Sequence, residues 1–263
     1  MTALTKPTPI LPALGNLRNF SQAAVSILQG AIVGRDPATG YAKNWILGYP
    51  FDGHATRSSD NSAGSAGDKK IETLQGRYVL EISLSNVSIT DASRQAPVFA
   101  QDNGTYSLRA GQMVGRVIQY ISSGKCLCEF DTALQIHCLA ETLLIGGFTD
   151  NTNTTGYKDF ATTLPSGAQV LGWQADVRTG FTGDTTAVVQ VGVSGNLDRF
   201  SALTTNSVLA AGVVGCQAPG ATDNTYLTAA TTVRVTVTGA ADFTSISAGE
   251  MDIRVFYLPT SRQ

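Results

Sequence analysis

Acid–base chemistry in proteins falls most often to histidine, and this 263-residue sequence holds two, His54 and His137. His54 follows Asp52-Gly53, with Asp60 downstream. That is the nearest approach to a base with an orienting carboxylate, although a loop histidine making a local hydrogen bond fits the same residues. His137 lies between Ile136 and Cys138-Leu139, an apolar setting that reads as packed core. Asp150, Asp159, Asp184 and Asp198 could supply a glycosidase pair or oxygen ligands for calcium. Each stands in a turn-like context where aspartate caps backbone amides, and no EF-hand spacing occurs. Gly146-Gly147 lacks the lysine and hydroxyl residue of a phosphate-binding loop.

The four cysteines are Cys126, Cys128, Cys138 and Cys216. Cys126 and Cys128 form C-x-C inside a strand-like run, so both point to one face and a bridge between them would strain the backbone. A zinc site wants C-x-x-C spacing and more partners. The expectation is four reduced, half-buried thiols, and a chain with no catalytic residue, no cofactor and no metal. What remains is contact chemistry. Trp45, Tyr49 and Phe51, with Arg35 nearby, are set in an otherwise polar, glycine-rich segment, 34–67. Aromatic residues and arginine dominate the energetics of protein interfaces, so these four are the candidate partner-binding residues. The alternative is that the aromatics pin the loop to its own domain.

Composition points to an all-β chain. Charged residues make up 14% and apolar residues 43%, with a net charge of −2. Threonine and valine suit pleated strands, and glycine and asparagine suit the turns between them. No basic run marks a nucleic-acid surface, and no stretch of about 18 apolar residues marks a spanning helix. Residues 1–14 lack a secretory pattern, so synthesis in a cytoplasm is expected. Pro7, Pro9 and Pro12 exclude regular pairing near the N-terminus, and residues 1–20 read as an extended arm. Residues 23–33 fit helix and strand equally.

Period-two alternation then sets in at 78–84, where Tyr78, Leu80, Ile82 and Leu84 share a face. Residues 114–121 and 125–130 form a hairpin through Ser122-Ser123-Gly124. Residues 132–146 carry apolar spacings of both kinds. The polar run 150–157 reads as a domain boundary. Beyond it, Leu171, Trp173, Ala175 and Val177 share one face, as do Val189, Val191 and Val193, then Val233, Val235 and Val237, then Met251, Ile253, Val255 and Tyr257. The predicted architecture is a small β-barrel-like domain with an arm and long loops, 1–150, followed by an antiparallel β-sandwich, 151–263.

Within 64–131, a Ser65-Ala66-Gly67-Asp68 turn and a strand led by Gly76 precede Pro97-Val98-Phe99-Ala100. Then come Asp102-Asn103-Gly104-Thr105-Tyr106-Ser107-Leu108, Val114-Gly115-Arg116-Val117 and Cys128-Glu129-Phe130-Asp131. This order resembles the capsid-cement, or head-decoration, proteins of tailed bacteriophages. Leu164-Pro165-Ser166-Gly167-Ala168, Asp198-Arg199-Phe200 and the closing Val255-Phe256-Tyr257 look like β-sandwich modules appended to phage structural proteins. Gly34-Arg35-Asp36-Pro37-Ala38-Thr39-Gly40-Tyr41 and Phe51-Asp52-Gly53-His54-Ala55 are also similar to segments of phage virion proteins. The resemblance covers about two thirds of the chain and rests on turn and strand signatures. It implies a structural protein on the outer capsid surface of the virion, made in the host cytoplasm. Its partners would be the major capsid protein and further copies of itself, often as a trimer, with no nucleic acid or membrane. The rival expectation is a head-fibre or adhesin module that recognises a host-surface glycan, which would need exposed aromatics in the second domain, where Trp173 is the only tryptophan.

Overall fold

The computed structural model describes residues 16–85, 89–133, 136–151, 153–201, 206–217 and 225–259. It is all-β and falls into two compact units, residues 1–137 and 138–263.

The first unit contains β1 (Asn16–Ser21), β2 (Ser26–Ile27), β3 (Ile32–Arg35), β4 (Ala42–Asn44), β5 (Phe51–Ala55), β6 (Ser59–Asp60), β7 (Lys70–Gln75), β8 (Arg77–Ser83), β9 (Pro97–Ala100), β10 (Tyr106–Ser107), β11 (Gly111–Ser122) and β12 (Lys125–Asp131). One sheet has the order β1-β7-β5-β3-β4; in the other, β8-β12-β11-β9-β10 are successive antiparallel neighbours. Ile32, Phe51 and Leu74 from the first sheet and Tyr78, Leu80, Val98, Val114 and Phe130 from the second merge into one apolar core. The first sheet packs its other face too, through Val33, Ala55 and Ile71 with Ile27 and Ala42.

The alternation in 78–84 holds: Tyr78, Leu80, Ile82 and Leu84 are all buried. So does the hairpin, which Gly124 turns with a φ of 78° that suits glycine. The segment 34–67 is not the extended loop expected of it; it contains β4, β5 and β6. Its aromatics are the reason, since Trp45 and Phe51 enter the core and fix the backbone around them. Residues 16–20 of the expected arm form β1, paired with β7 from Asn16↔Gln75 to Ser21↔Lys70. Past Pro12 every residue has an N–H to give to a ladder. The three prolines lie outside the described residues.

The second unit contains β13 (His137–Leu144, beginning on the last residue of the first unit), β14 (Thr149–Asp150), β15 (Thr155–Asp159), β16 (Ala168–Thr182), β17 (Ala187–Gly192), β18 (Gly212–Gln217), β19 (Arg234–Gly239) and β20 (Ala248–Pro259). Its sheets run β13-β20-β16-β18 and β14-β15-β19-β17. Trp173, Ala175, Ile253 and Val255 of the first meet Val189, Val191, Val235 and Val237 of the second in one core. Residues 150 and 155–157 of the polar run lie in β14 and β15, which pair with each other inside this unit, and the division falls earlier, after His137. Leu171 departs from the face expected for it and is exposed. The β16–β20 register shifts between Val170 and Gly172, and one extra residue there reverses the alternation. Val170 takes the buried place instead.

Candidate functional site

β5 carries a local irregularity that decides what the first unit presents and what it hides. Its register against β3 shifts between Ile32↔His54 and Gly34↔Phe51. Gly53 sits in the shift with a φ of 102°, and a Cβ on it would lie 2.0 Å from the Leu74 carbonyl oxygen. Strict alternation would send residues three apart to opposite faces. The shift brings Phe51 and His54 to the same core, their rings 5.7 Å apart and edge-on.

His54 is therefore not a loop histidine. It is buried, with Nδ1 2.7 Å from the Tyr78 hydroxyl on β8 and Nε2 2.6 Å from the Tyr106 hydroxyl on β10. Phe130 packs against it at 4.5 Å and stacks on Tyr78 at 5.6 Å. Desolvation alone lowers the imidazole pKa to about 3. His137 is buried as the sequence suggests, and burial lowers its pKa to about 4. Both imidazoles are thus neutral and shielded at physiological pH.

Cys126, Cys128 and Cys138 are free and fully buried rather than half-buried. Burial raises Cys126 to about 11 and Cys138 to about 12, and pushes Cys128 well above the ordinary thiol range. The side chain of Cys216 lies outside the described residues. Asp184 behaves as a turn aspartate, accepting from the amides of Thr185, Ala240 and Ala241. Asp159 does not: it ends β15 and binds Arg234 through two bonds of 2.7 Å, with the guanidinium over the Tyr157 ring. Among the described residues no group of three His, Cys, Asp or Glu side chains is placed to hold a metal ion, and no helix is long and apolar enough to cross a membrane.

Of the four candidate contact residues, Trp45 and Phe51 are core side chains with almost no surface to offer. This corrects their reading as partner-binding anchors, for they pin their own segment. Trp45 donates from Nε1 to the Tyr49 carbonyl at 2.8 Å, and its own amide donates to Ile32. Gly34 makes room for this, since a Cβ there would lie 2.7 Å from the Trp45 ring and from the Pro50 carbonyl oxygen. Tyr49 is half-buried. Arg35 is exposed, holds Asp52 through bonds of 2.9 and 3.1 Å, and lies 5.2 Å from the Phe20 ring centre.

The turn pinned by Trp45 turns its apolar side chains outward: Ile46 is 52% and Leu47 41% exposed. Neither was singled out in the sequence. The available signal is an Ile-Leu pair directly before Gly48 in a polar segment, with no polar residue to mask it. A cavity of about 310 Å³ elsewhere on this unit is lined by Arg77, Met113, Gly115, Arg116, Glu129 and Asp131. Its arginines are engaged, Arg77 by Asp131 at 2.9 Å and Arg116 by Glu129 at 2.8 Å.

No protein-family model matches the chain, and no curated protein matches it. Among solved structures it is similar to a chain of the Cyanophage Pam1 capsid asymmetric unit, with 22% identity over 48% of this chain and 85% of that one. The TM-score is 0.36, a value that establishes no common fold.

Proposed function

We propose that this chain is a structural protein of a tailed-bacteriophage virion. It binds the outer surface of the capsid and stabilises the shell by contact alone. Shell subunits that carry a bound decorator are stabilised by mass action, because the decorator binds the assembled lattice and not its dissociated parts. The partners in this reading are the major capsid protein and further copies of the chain, as a trimer, with no nucleic acid, membrane, metal or cofactor. The location is the virion exterior, after synthesis in the host cytoplasm.

One observation supports this most. Of the segments that resemble capsid-cement proteins, the Gly76-led strand, 97–100, 102–108, 114–117 and 128–131 fall on neighbouring strands of a single sheet or its turns, while 65–68 precedes β7 of the other sheet; the unit that holds them carries an outward apolar turn at Ile46-Leu47. A catalytic reading lacks comparable support, since both imidazoles and three thiols are withdrawn from solvent. The glycan-binding alternative loses its tryptophan, because Trp173 is in the core of the second unit.

The test is whether the full chain sediments with undecorated heads of the phage that encodes it, and whether purified particles contain it at a fixed ratio to the major capsid protein. Co-sedimentation at a saturable ratio is expected. Absence from particles together with no binding to heads would end the proposal.

A further inference from the structure

The two sheets of the first unit meet through apolar side chains, through Asn103 of the β9–β10 turn, which accepts from the Ile32 amide and donates to Asn44, and through a buried polar chain, Tyr78–His54–Tyr106. His54 belongs to β5 of one sheet; Tyr78 and Tyr106 belong to β8 and β10 of the other. We propose that this chain is an acid-sensitive lock between the sheets, shut when the imidazole is neutral and forced open when it is protonated. This goes beyond the virion reading and does not depend on it.

The number of hydrogens on the imidazole decides how it bonds. A neutral imidazole has one N–H and one bare nitrogen. It donates to one tyrosine oxygen and accepts the hydroxyl hydrogen of the other, so both short contacts are hydrogen bonds. An imidazolium donates from both nitrogens and requires both hydroxyls to accept. The hydroxyl that had been donating must then turn its hydrogen away, and the Phe51 and Phe130 rings close around the imidazole offer no acceptor. Removing one partner from a buried hydrogen bond carries the full desolvation cost of the group left behind.

The charge has no counter-ion either. Asp131 near Tyr78 is engaged by Arg77, and Asp102 near Tyr106 by the amides of Gly104 and Thr105; the titratable groups that face His54 itself are Tyr78 on β8, Tyr106 on β10 and, beside the tyrosines, Cys128 on β12. Burial holds all three in the neutral form throughout the acid range. Opposite His54, β3 and β7 place Ile32 and Leu74. On β5 itself, Asp52 is engaged by Arg35. The lowered pKa of His54 agrees with this count.

The sign follows from linkage. A histidine whose folded pKa is lowered binds more protons unfolded than folded between the two values. Its contribution is fully present above the unfolded pKa of about 6.5 and is lost as pH falls from there toward 3. At pH 4.5 the deficit is two pH units below the unfolded value, roughly a hundredfold in the folding equilibrium constant.

The experiment uses the full chain in a Trp173→Phe background, so that Trp45 emission reports the first unit alone. Urea unfolding is measured at pH 7.5 and 4.5 with His54 and with His54→Gln. Both proteins keep His137 and all carboxylates, so their difference isolates His54. The expected result is that the His54 protein loses about a hundredfold more in its folding constant over this interval. Equal losses would overturn the lock. The His54 imidazole proton resonances, read in the Trp173→Phe background with His137→Gln to remove those of the second histidine, provide a second readout, valid even if His54→Gln does not fold. They should stay at the neutral position down to pH 4.5 while the unit is folded. Titration near pH 6.5 with Trp45 emission unchanged would also overturn it.

Discussion

Replacing Ile46 and Leu47 together with alanine removes the apolar surface that the β4–β5 turn holds outward and leaves the residues beneath it in place. Fully burying a leucine or isoleucine side chain contributes about 1.5–3 kcal/mol. Scaled by exposures of 52% and 41%, the pair would contribute about 1.4–2.8 kcal/mol if a capsid subunit covered it. That corresponds to a ten- to hundredfold weaker dissociation constant. Surface substitutions of this kind change stability by only about 0.5 kcal/mol, and Trp45, bonded to the Tyr49 carbonyl directly under the turn, monitors local integrity. The assay titrates undecorated heads with each protein and measures the fraction that sediments. Val213→Ala is the control, an aliphatic residue of the second unit that is 60% exposed and assigned no contact. Binding within twofold of the unsubstituted chain, with Trp45 emission unchanged, would refute this turn as the contact. Equal weakening by Val213→Ala would refute its specificity.

Phe130→Ala should cost the first unit about 3–5 kcal/mol, as expected for a fully buried phenylalanine; urea unfolding followed by Trp45 emission measures it, and a loss below 1 kcal/mol would show that the aromatic cluster around His54 is not a stability centre. Gly156→Ala should cost the second unit about 1–3 kcal/mol by overpacking, because its Cβ would lie 2.2 Å from the Phe243 ring; Trp173 emission is the monitor. Thiol titration should find four reactive groups in the denatured, unreduced protein and no rapid reaction of Cys126, Cys128 or Cys138 in the native protein at pH 8, where burial keeps them protonated. Light scattering should give a mass about three times the 27.5 kDa of one chain; a monomer mass would remove the trimer from the proposal.

The strands of this protein were legible wherever the chain alternates without interruption. The run 78–84, the hairpin around Gly124 and the valine-rich strands β17 and β19 could be read directly, because a period of two admits one buried face and one exposed face. The burial of Cys126 and Cys128 on one side of β12 followed from the same periodicity. Residues 137–144 did not yield to it, since their apolar spacing fits strand and helix alike; pairing of β13 with β20 resolves the ambiguity.

The polar run 150–157 shows the opposite failure. Turn chemistry marks a reversal of the chain, but only the pairing of the strands on either side shows whether the reversal separates two units or closes a hairpin within one. Which side chains face the core was decided at two places by irregularities in register. One shift in β16 turns Leu171 out and Val170 in. Another at Gly53 sets Phe51 and His54 on one face. Composition and spacing announce neither shift, because each is fixed by where a partner strand lies.

The same limit applies to His54 itself. Its bonding partners stand 24 and 52 residues away in the chain. The sequence by itself determined that the chain would be β-structured, with Cys126 and Cys128 on one face and unbridged to each other, because those properties arise from residues near one another. Tertiary structure alone decided which aromatics enter the core and which side chains stay at the surface, because burial depends on sheets assembled from distant segments. It withdrew Trp45, Phe51 and His54 and left Ile46 and Leu47 at the surface.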